Sequence, residues 1–250
     1  MLKKRIITTL TLQEGILFRS RKFEPDYRYT HKFVDLWSID EIIVLDITRN
    51  LDFQNPKKNK FFKTLENISK NAVVPLTVGG GIRNTVDINR LLNSGADKVV
   101  VNSICLEKPK LINLFSNEFG SQCIVASIDV KKVEGSYYVF SNYGSTKTKY
   151  QLIEWINIAQ EEGVGEIFLQ SINMDGSLEG YDYEMVEKVS NMIKVPLIIS
   201  SGAGNWEHFE NLLKYDYVSG ASTTNIYHFT ESSIKSLKKY LINKNFEIRE

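Results

Sequence analysis

The sequence lacks the features that mark several large classes of protein. Its two cysteines are too few for a disulfide framework, and its three histidines avoid the ends of the early predicted strands, so neither a zinc site nor a nucleophile triad is indicated. No apolar run approaches the roughly 18 residues that cross a bilayer, and no sustained apolar stretch follows the charged N-terminus as in a signal peptide. The 31 basic and 30 acidic residues nearly cancel, which leaves no overall field for nucleic acid or an anionic membrane. We therefore expect a reduced, cytoplasmic protein with no metal, no cofactor, no membrane and no nucleic-acid partner.

Two apolar runs end in glycine-rich turns about half a chain apart. Residues 74–83 read VPLTVGGGIR and residues 195–204 read VPLIISSGAG. Apolar runs of this kind are typical of strands that are buried on both faces. Glycine lets backbone N–H groups approach an anion, because no Cβ stands in the way. The two junctions predict two anion sites, one in each half of a duplicated fold.

Strand-like and helix-like segments alternate along the whole chain. Strands are predicted at residues 5–11, 41–47, 74–78, 98–103, 122–129, 166–172, the start of 195–204, and 217–221. Helices are predicted at about 31–38, 57–71, 85–94, 108–119, 152–162, 183–192, 206–213 and 230–241. Eight βα units over residues 1–250 predict one TIM-barrel domain, a (βα)8 barrel with an internal (βα)4 half-barrel repeat. The alternative is an open, doubly wound sheet.

Two segments interrupt the alternation. Residues 16–29 interleave arginine and lysine with phenylalanine and tyrosine, which predicts a loop that is either a flap over an anionic ligand or a solvated loop packed on the rim. Residues 130–140, with Glu134-Gly135 at their centre, predict a small hairpin.

Polar residues follow the predicted strands, at the end of a barrel where active sites lie. Asp129 at the end of the fifth strand aligns with Thr11 at the end of the first. We predict a proton-transferring role for Asp129, although an aspartate there can also be a turn former or a helix cap. The predicted phosphate-binding residues are Gly80, Gly81, Asn102, Ser103, Asp175, Gly176, Ser201, Gly202, Thr224 and Asn225.

Charged residues begin four of the predicted strands at the opposite end. Arg5, Glu41, Lys98 and Glu166 alternate in type and could pair in a ring on the barrel floor. Ordinary charged rim residues are the alternative, and composition alone favours it.

Taken in order, these motifs resemble the HisF family, the cyclase subunits of imidazole glycerol phosphate synthase. The motifs run nearly end to end: KRII at 4–7, LDIT at 45–48, TVGGGI at 77–82, GADKV at 95–99, FGSQ at 119–122, Ile128-Asp129, Asp175-Gly176, GYD at 180–182, and GAG at 202–204 with EHF at 207–209. The resemblance implies two phosphate sites for a phosphorylated ligand and a HisH-like glutaminase docked on the floor. It also implies that ammonia passes through the barrel, with Arg5, Glu41, Lys98 and Glu166 as its gate.

The sequence departs from that family at the carboxyl ends of the predicted strands, which form the mouth of the barrel. The family uses aspartates at the ends of strands one and five, whereas this chain has Thr11 and Asp129. A threonine hydroxyl is not a comparable proton carrier near neutral pH. The expected loop lysine looks like Arg19, one glycine of the second junction is Ser201, and the strand-six aspartate is Asn173.

A branch of the family associated with glycosyl amidation in surface-polysaccharide biosynthesis resembles the chain more closely. Members share a non-acidic end of strand one and a basic-aromatic loop such as Arg21-Lys-Phe23. The resemblance implies a barrel that passes ammonia to a separate sugar amidotransferase. Two hypotheses stay open beside it: a genuine histidine-pathway cyclase, with Asp129 acting alone or assisted by Asp46 or Asp175, and a non-catalytic activator of the glutaminase.

Overall fold

The computed structural model describes residues 3–29, 38–49, 53–224 and 234–249. Its strands are β1 (Arg5–Gln13), β2 (Ile16–Arg21), β3 (Glu24–Tyr29), β4 (Glu41–Asp46), β5 (Leu76–Gly79), β6 (Lys98–Val101), β7 (Ile124–Val133), β8 (Ser136–Ser141), β9 (Thr146–Gln151), β10 (Glu166–Ser171), β11 (Leu197–Ser200) and β12 (Gly220–Thr223). Its helices are α1 (Asn59–Asn71), α2 (Thr85–Asn93), α3 (Ser103–Glu107), α4 (Lys110–Phe119), α5 (Leu152–Glu161), α6 (Tyr183–Lys188), α7 (Trp206–Leu213) and α8 (Ile234–Asn243).

Eight of the strands close into a parallel barrel. Neighbours pair in the order β10, β11, β12, β1, β4, β5, β6, β7, and the parallel pairing of β10 with β7 closes the ring. The predicted (βα)8 barrel is therefore confirmed, and the open sheet is wrong. The remaining four strands form two antiparallel hairpins, which continue β1 and β7 beyond the carboxyl end of the barrel.

The barrel wall is buried on both faces, which explains its apolar strands. The outer face packs against the helices; in α1, for example, Phe61, Phe62, Leu65 and Ile68 are buried at helical spacing. A second and separate apolar cluster lies inside the barrel. No helix in the described ranges is both long enough and apolar enough to cross a membrane.

The loop predicted at residues 16–29 is wrong, because these residues form the hairpin β2–β3. Glu14 and Gly15 turn the chain at φ of 50° and 77°, and β2 then pairs back on β1 with Thr11 opposite Phe18. The second turn is Lys22-Phe23, with φ of 54° and 65°. Turns of this kind normally contain asparagine or glycine, so the sequence carries no hairpin signal there. We call β2–β3 the first hairpin.

The hairpin predicted at residues 130–140 is confirmed, since β7 pairs antiparallel with β8. A further strand, β9, pairs with β8 and was not predicted. We call β8–β9 the second hairpin.

Several boundaries differ from the prediction. The last barrel strand is Gly220–Thr223 rather than 217–221, because the backbone N–H of Val218 closes a turn onto the carbonyl of Tyr215 just before the strand begins. Helix α3 was not predicted, and α6 ends at Lys188 rather than 192. Most of the helix predicted at 31–38 and the start of that at 230–241 lie outside the described residues.

Candidate functional site

The floor of the barrel holds a closed ring of opposite charges. Arg5 Nη1 lies 2.7 Å from Glu41 Oε2, and Lys98 Nζ lies 2.7 Å from both Glu41 Oε1 and Glu166 Oε2. Arg5 also contacts Glu166 Oε1, which closes the ring. We call these four side chains the charged ring. Each is the first residue of its strand, so the parallel barrel brings together the residues that the sequence predicts at its floor.

The cations of the ring keep Glu41 ionised. Burial by itself would raise the pKa of Glu41, but Lys98, Arg5 and a hydrogen bond from the Thr77 hydroxyl outweigh it and hold the pKa below its ordinary value. Glu41 is therefore a fixed negative charge in the ring rather than a proton donor.

An apolar layer lies directly above the charged ring. Side chains alternate between the two faces of a strand, so the residue two positions after each ring member also faces inward. These are Ile7, Ile43, Val100 and Phe168, which pack with Val125 and Ile198 in the inner cluster. We call these six side chains the apolar layer. All are at most 4% exposed, so the layer separates the ring from the mouth.

A cavity of about 520 Å³ opens above the apolar layer, at the carboxyl ends of the strands. It is where the structure brings most of the predicted site residues together. The cavity wall includes Thr11, Gly80, Gly81, Asn102, Ser103, Asp129, Asp175, Gly176, Ser201, Gly202 and Thr224. Asn225 lies outside the described residues.

Asp129 is buried in the cavity wall and accepts hydrogen bonds from neutral groups. Ser127 Oγ and Gln170 Nε2 donate to Oδ1 at 3.0 and 2.9 Å, and Asn102 Nδ2 donates to Oδ2 at 2.7 Å. Burial raises the pKa of Asp129 to about 6, and the charge of Asp175 adds to this, whereas the three hydrogen bonds oppose it. Near neutral pH the carboxyl is mostly ionised and can accept a proton.

Thr11 lines the same cavity, but its hydroxyl serves the backbone. Thr11 Oγ1 donates to the carbonyl oxygen of Phe18, its register partner in the first hairpin. The hydroxyl proton therefore closes the root of the hairpin. The side chain at this strand end is a neutral group already committed to a local contact.

The other two carboxylates named as helpers of Asp129 are also engaged. Asp46 accepts from Lys58 Nζ at 2.6 Å and from the Thr48 hydroxyl at 2.6 Å, and both members of the Asp46–Lys58 pair are fully buried. Asp175 Oδ2 accepts the backbone N–H of Phe23 at 2.9 Å. Burial raises the pKa of Asp175, and this hydrogen bond opposes the rise.

The two hairpins cover the mouth. Phe23 at the tip of the first hairpin and Tyr143 at the tip of the second both line the cavity. Tyr143 donates its hydroxyl to the carbonyl of Thr48 at 3.1 Å, and a Cβ on Gly144 would lie 3.2 Å from the Phe23 ring. The tips of the two hairpins therefore meet above the cavity.

Arg19, at the position of the loop lysine, contacts residues within the first hairpin. It binds Asp26 on β3, with Nη2 to Oδ2 at 2.6 Å, and lies over the Tyr27 ring.

The two glycine junctions have matching backbones but different side chains. Asn84 and Asn205 cap the following helices with almost identical φ values, −157° and −156°. Gly80 and Ser201 occupy equivalent positions, at φ of 112° and 83°. The first junction also adds the Arg83 side chain to the cavity wall, where the second has Gly204.

Sequence reasoning missed three residues that shape the site. Gln170 and Ser127 hold Asp129, and Lys58 neutralises Asp46. Counting alternate positions from Glu166 would have placed Gln170 inward, whereas Lys58, in a run of exposed polar residues, gives no signal. Among the described residues, no group of three histidine, cysteine, aspartate or glutamate side chains is arranged to hold a metal ion.

Comparison with known proteins agrees with this architecture. The profile of the family described as histidine biosynthesis protein matches residues 8–233. Over the full length of both chains, the sequence is 39% identical to the imidazole glycerol phosphate synthase subunit HisF of Natranaerobius thermophilus. It is 38% identical to HisF of a Hydrogenobaculum species and 37% identical to HisF of Sulfurisphaera tokodaii, again over the full length of each chain. This chain therefore belongs to the HisF family.

Proposed function

We propose that the chain is the barrel subunit of a glutamine-dependent complex and conducts ammonia without carrying out efficient cyclisation. A HisH-like glutaminase would dock on the floor and release ammonia there. The ammonia would reach the mouth and serve a separate enzyme that amidates a nucleotide sugar in surface-glycan biosynthesis. The contact between Thr11 and Phe18 carries this proposal, because it leaves a neutral, committed hydroxyl where the family has an aspartate.

The order of layers along the barrel axis supports a path for ammonia. The charged ring gives polar contacts at the entrance, and the apolar layer above it disfavours any ion, because an unpaired charge is costly to bury. A neutral, small molecule such as ammonia is the species that such an arrangement would admit. We assign the charged ring as the gate of this path.

The mouth supports the loss of efficient cyclisation. Asp46 is bound to Lys58 and Asp175 to the first hairpin, so neither is placed as a free second acid beside Asp129. Except for Asn225, the predicted phosphate-binding residues lie on the cavity wall, and we propose that a phosphorylated ligand binds there, more tightly at the first junction because of Arg83.

A genuine cyclase of histidine biosynthesis is the second candidate. Its support is the full-length similarity to HisF subunits together with an ionisable Asp129 in the cavity. A non-catalytic activator of the glutaminase is the third, and the burial of all six side chains of the apolar layer, each at most 4% exposed, favours it.

The deciding experiment supplies the purified chain with ammonia and the bisphosphate substrate of the histidine-pathway cyclase. Loss of a general acid or base typically slows a reaction by about 10²- to 10⁴-fold. We expect the native chain to be at least about 10²-fold slower than a HisF enzyme assayed beside it. A rate within tenfold of that enzyme would overturn the proposal in favour of the cyclase.

Two variants sharpen the result. Thr11→Asp should restore cyclisation if the acid alone was lost, and Thr11→Asn is the matched control of similar size without the charge. For the third candidate, stimulation of the glutaminase is measured with Lys98→Met. Stimulation that survives the loss of the ring would favour a simple activator.

A further inference from the structure

The Gln170 side chain is buried inside the barrel, next to Asp129. It follows Glu166 and Phe168 at alternate positions of β10, so it faces inward one layer above Phe168. Its backbone lies in register with Asp129 on β7 and with Ser200 on β11. A glutamine amide in this place is costly to bury unless its polar atoms find partners.

The hydrogen bonds of Gln170 all lead towards Asp129. Gln170 Nε2 donates to Asp129 Oδ1 at 2.9 Å and to Ser127 Oγ at 3.2 Å. Ser127 then donates its own hydroxyl proton to the same Asp129 oxygen at 3.0 Å. An amide nitrogen can only donate, and a carboxylate can only accept, so the direction of this chain of hydrogen bonds is fixed.

We infer that Gln170 is a positioning residue for Asp129. With Ser127 it occupies Oδ1 and favours the ionised carboxyl. Among the described residues only Asn102 donates to Oδ2, which keeps a lone pair for a ligand in the cavity. The inference goes beyond the proposed function and does not depend on which enzyme finally uses the ammonia.

The surroundings of Asp129 make this role measurable. Asn102 on the β6 side, Ser127 on β7, Gln170 on β10 and Thr11 on β1 are all neutral, and Asp175 is the nearby carboxylate that opposes ionisation. Burial pushes the pKa up and the hydrogen bonds pull it down. Removing the Gln170 amide, one of these three neutral donors, should therefore raise the pKa of Asp129.

The experiment follows the carboxyl 13C resonance of Asp129 by NMR from pH 4 to 9. Gln170→Leu, of similar size, removes the amide. We expect the midpoint to rise by about one pH unit, since one hydrogen bond to a charged group has about that effect on a pKa. Gln160→Leu is the matched control, because within the described part of the chain the Gln160 amide bonds the backbone of Met192 and Lys194, outside the site. It should leave the midpoint unchanged.

A second measurement uses the native chain, so the inference stays testable if Gln170→Leu does not fold. The side-chain amide resonances of Gln170 should titrate with the same midpoint as Asp129, whereas those of Gln160 should not. A midpoint that stays the same or falls in Gln170→Leu overturns the inference, as does a native Gln170 amide that ignores the Asp129 titration. Neither result would bear on cyclisation or ammonia transfer, so the two proposals can fail separately.

Discussion

At the floor of the barrel four charged side chains neutralise one another, whereas at the mouth Asp129 is held by neutral donors alone. Both places are buried, so the difference lies in what compensates the lost hydration. The cations of the ring hold the pKa of Glu41 below its ordinary value, while burial raises the pKa of Asp129 to about 6. Glu41 on the floor thus stays charged near neutral pH, whereas the pKa of Asp129 at the mouth lies close to that range.

The two places also differ in how closely they keep to the family pattern. All four positions of the charged ring carry the residues that the resemblance implies, and their contacts are complete. At the mouth, Thr11 and Ser201 depart from it, and the Thr11 hydroxyl has become part of the hairpin. A floor that keeps the family pattern beside a mouth that departs from it is what the proposed change of acceptor would produce.

The largest effect that tests this contrast is expected from the charged ring. Glu41→Ala leaves Arg5 and Lys98 with one glutamate between them, and breaking a buried pair in this way costs about 3 kcal/mol of the free energy of unfolding. Asp26→Ala is the comparison at the mouth, because its ion pair with Arg19 is largely exposed and contributes less than about 1 kcal/mol. Urea denaturation at pH 7.5 measures both. Equal losses would show that the ring is no more than ordinary rim charge.

An intermediate effect is expected from pH, with opposite signs at the two ends. The contribution of Glu41 is present above its ordinary pKa of 4.5 and is lost as the pH falls through the lowered value. The contribution of Asp129 to stability has the opposite pH dependence, because its pKa is raised. Between pH 3.8 and about 6 the native chain binds more protons there than the unfolded chain, so its stability falls as the pH rises through that window.

Asp129→Asn tests the pH-dependent contribution of the mouth to stability separately from that of the floor. It should raise the free energy of unfolding at pH 8 by at most about 3 kcal/mol, and the gain should shrink towards pH 4, where the native carboxyl is largely protonated. The new amide at position 129 can be accommodated. The buried Asn102 Oδ1 has no partner among the described residues, and after the side-chain amide of Asn102 flips, this oxygen can accept a hydrogen bond from the new NH2 group. Stability curves from pH 4 to 8 measure the gain, and Asp26→Asn serves as the exposed control. A gain that is the same at every pH would contradict the raised pKa of Asp129.

The sequence was sufficient for the barrel and for the positions of the ring, because both depend on strong, repeated patterns. Strand starts such as Arg5 and Glu166 meet on the floor once parallel strands close. The first hairpin could not be foreseen, since Lys22-Phe23 turns the chain at positive φ without glycine or asparagine. The hydrogen bond from the Thr11 hydroxyl to the carbonyl of Phe18 forms only within that hairpin, so it could not be predicted from the sequence either.

The smallest effect concerns the two glycine junctions. Ser201 has φ of 83°, a left-handed conformation that costs a residue with a Cβ about 1 kcal/mol. Ser201→Gly should therefore raise the free energy of unfolding by up to about 1 kcal/mol and restore the glycine found at the equivalent Gly80. The reverse exchange, Gly80→Ser, should be strongly destabilising, because a Cβ there would lie 2.2 Å from the carbonyl oxygen of Asp46. If Ser201→Gly lowers stability in thermal denaturation, the serine side chain makes a favourable contact that outweighs its strain, and the second junction is specialised rather than merely weakened.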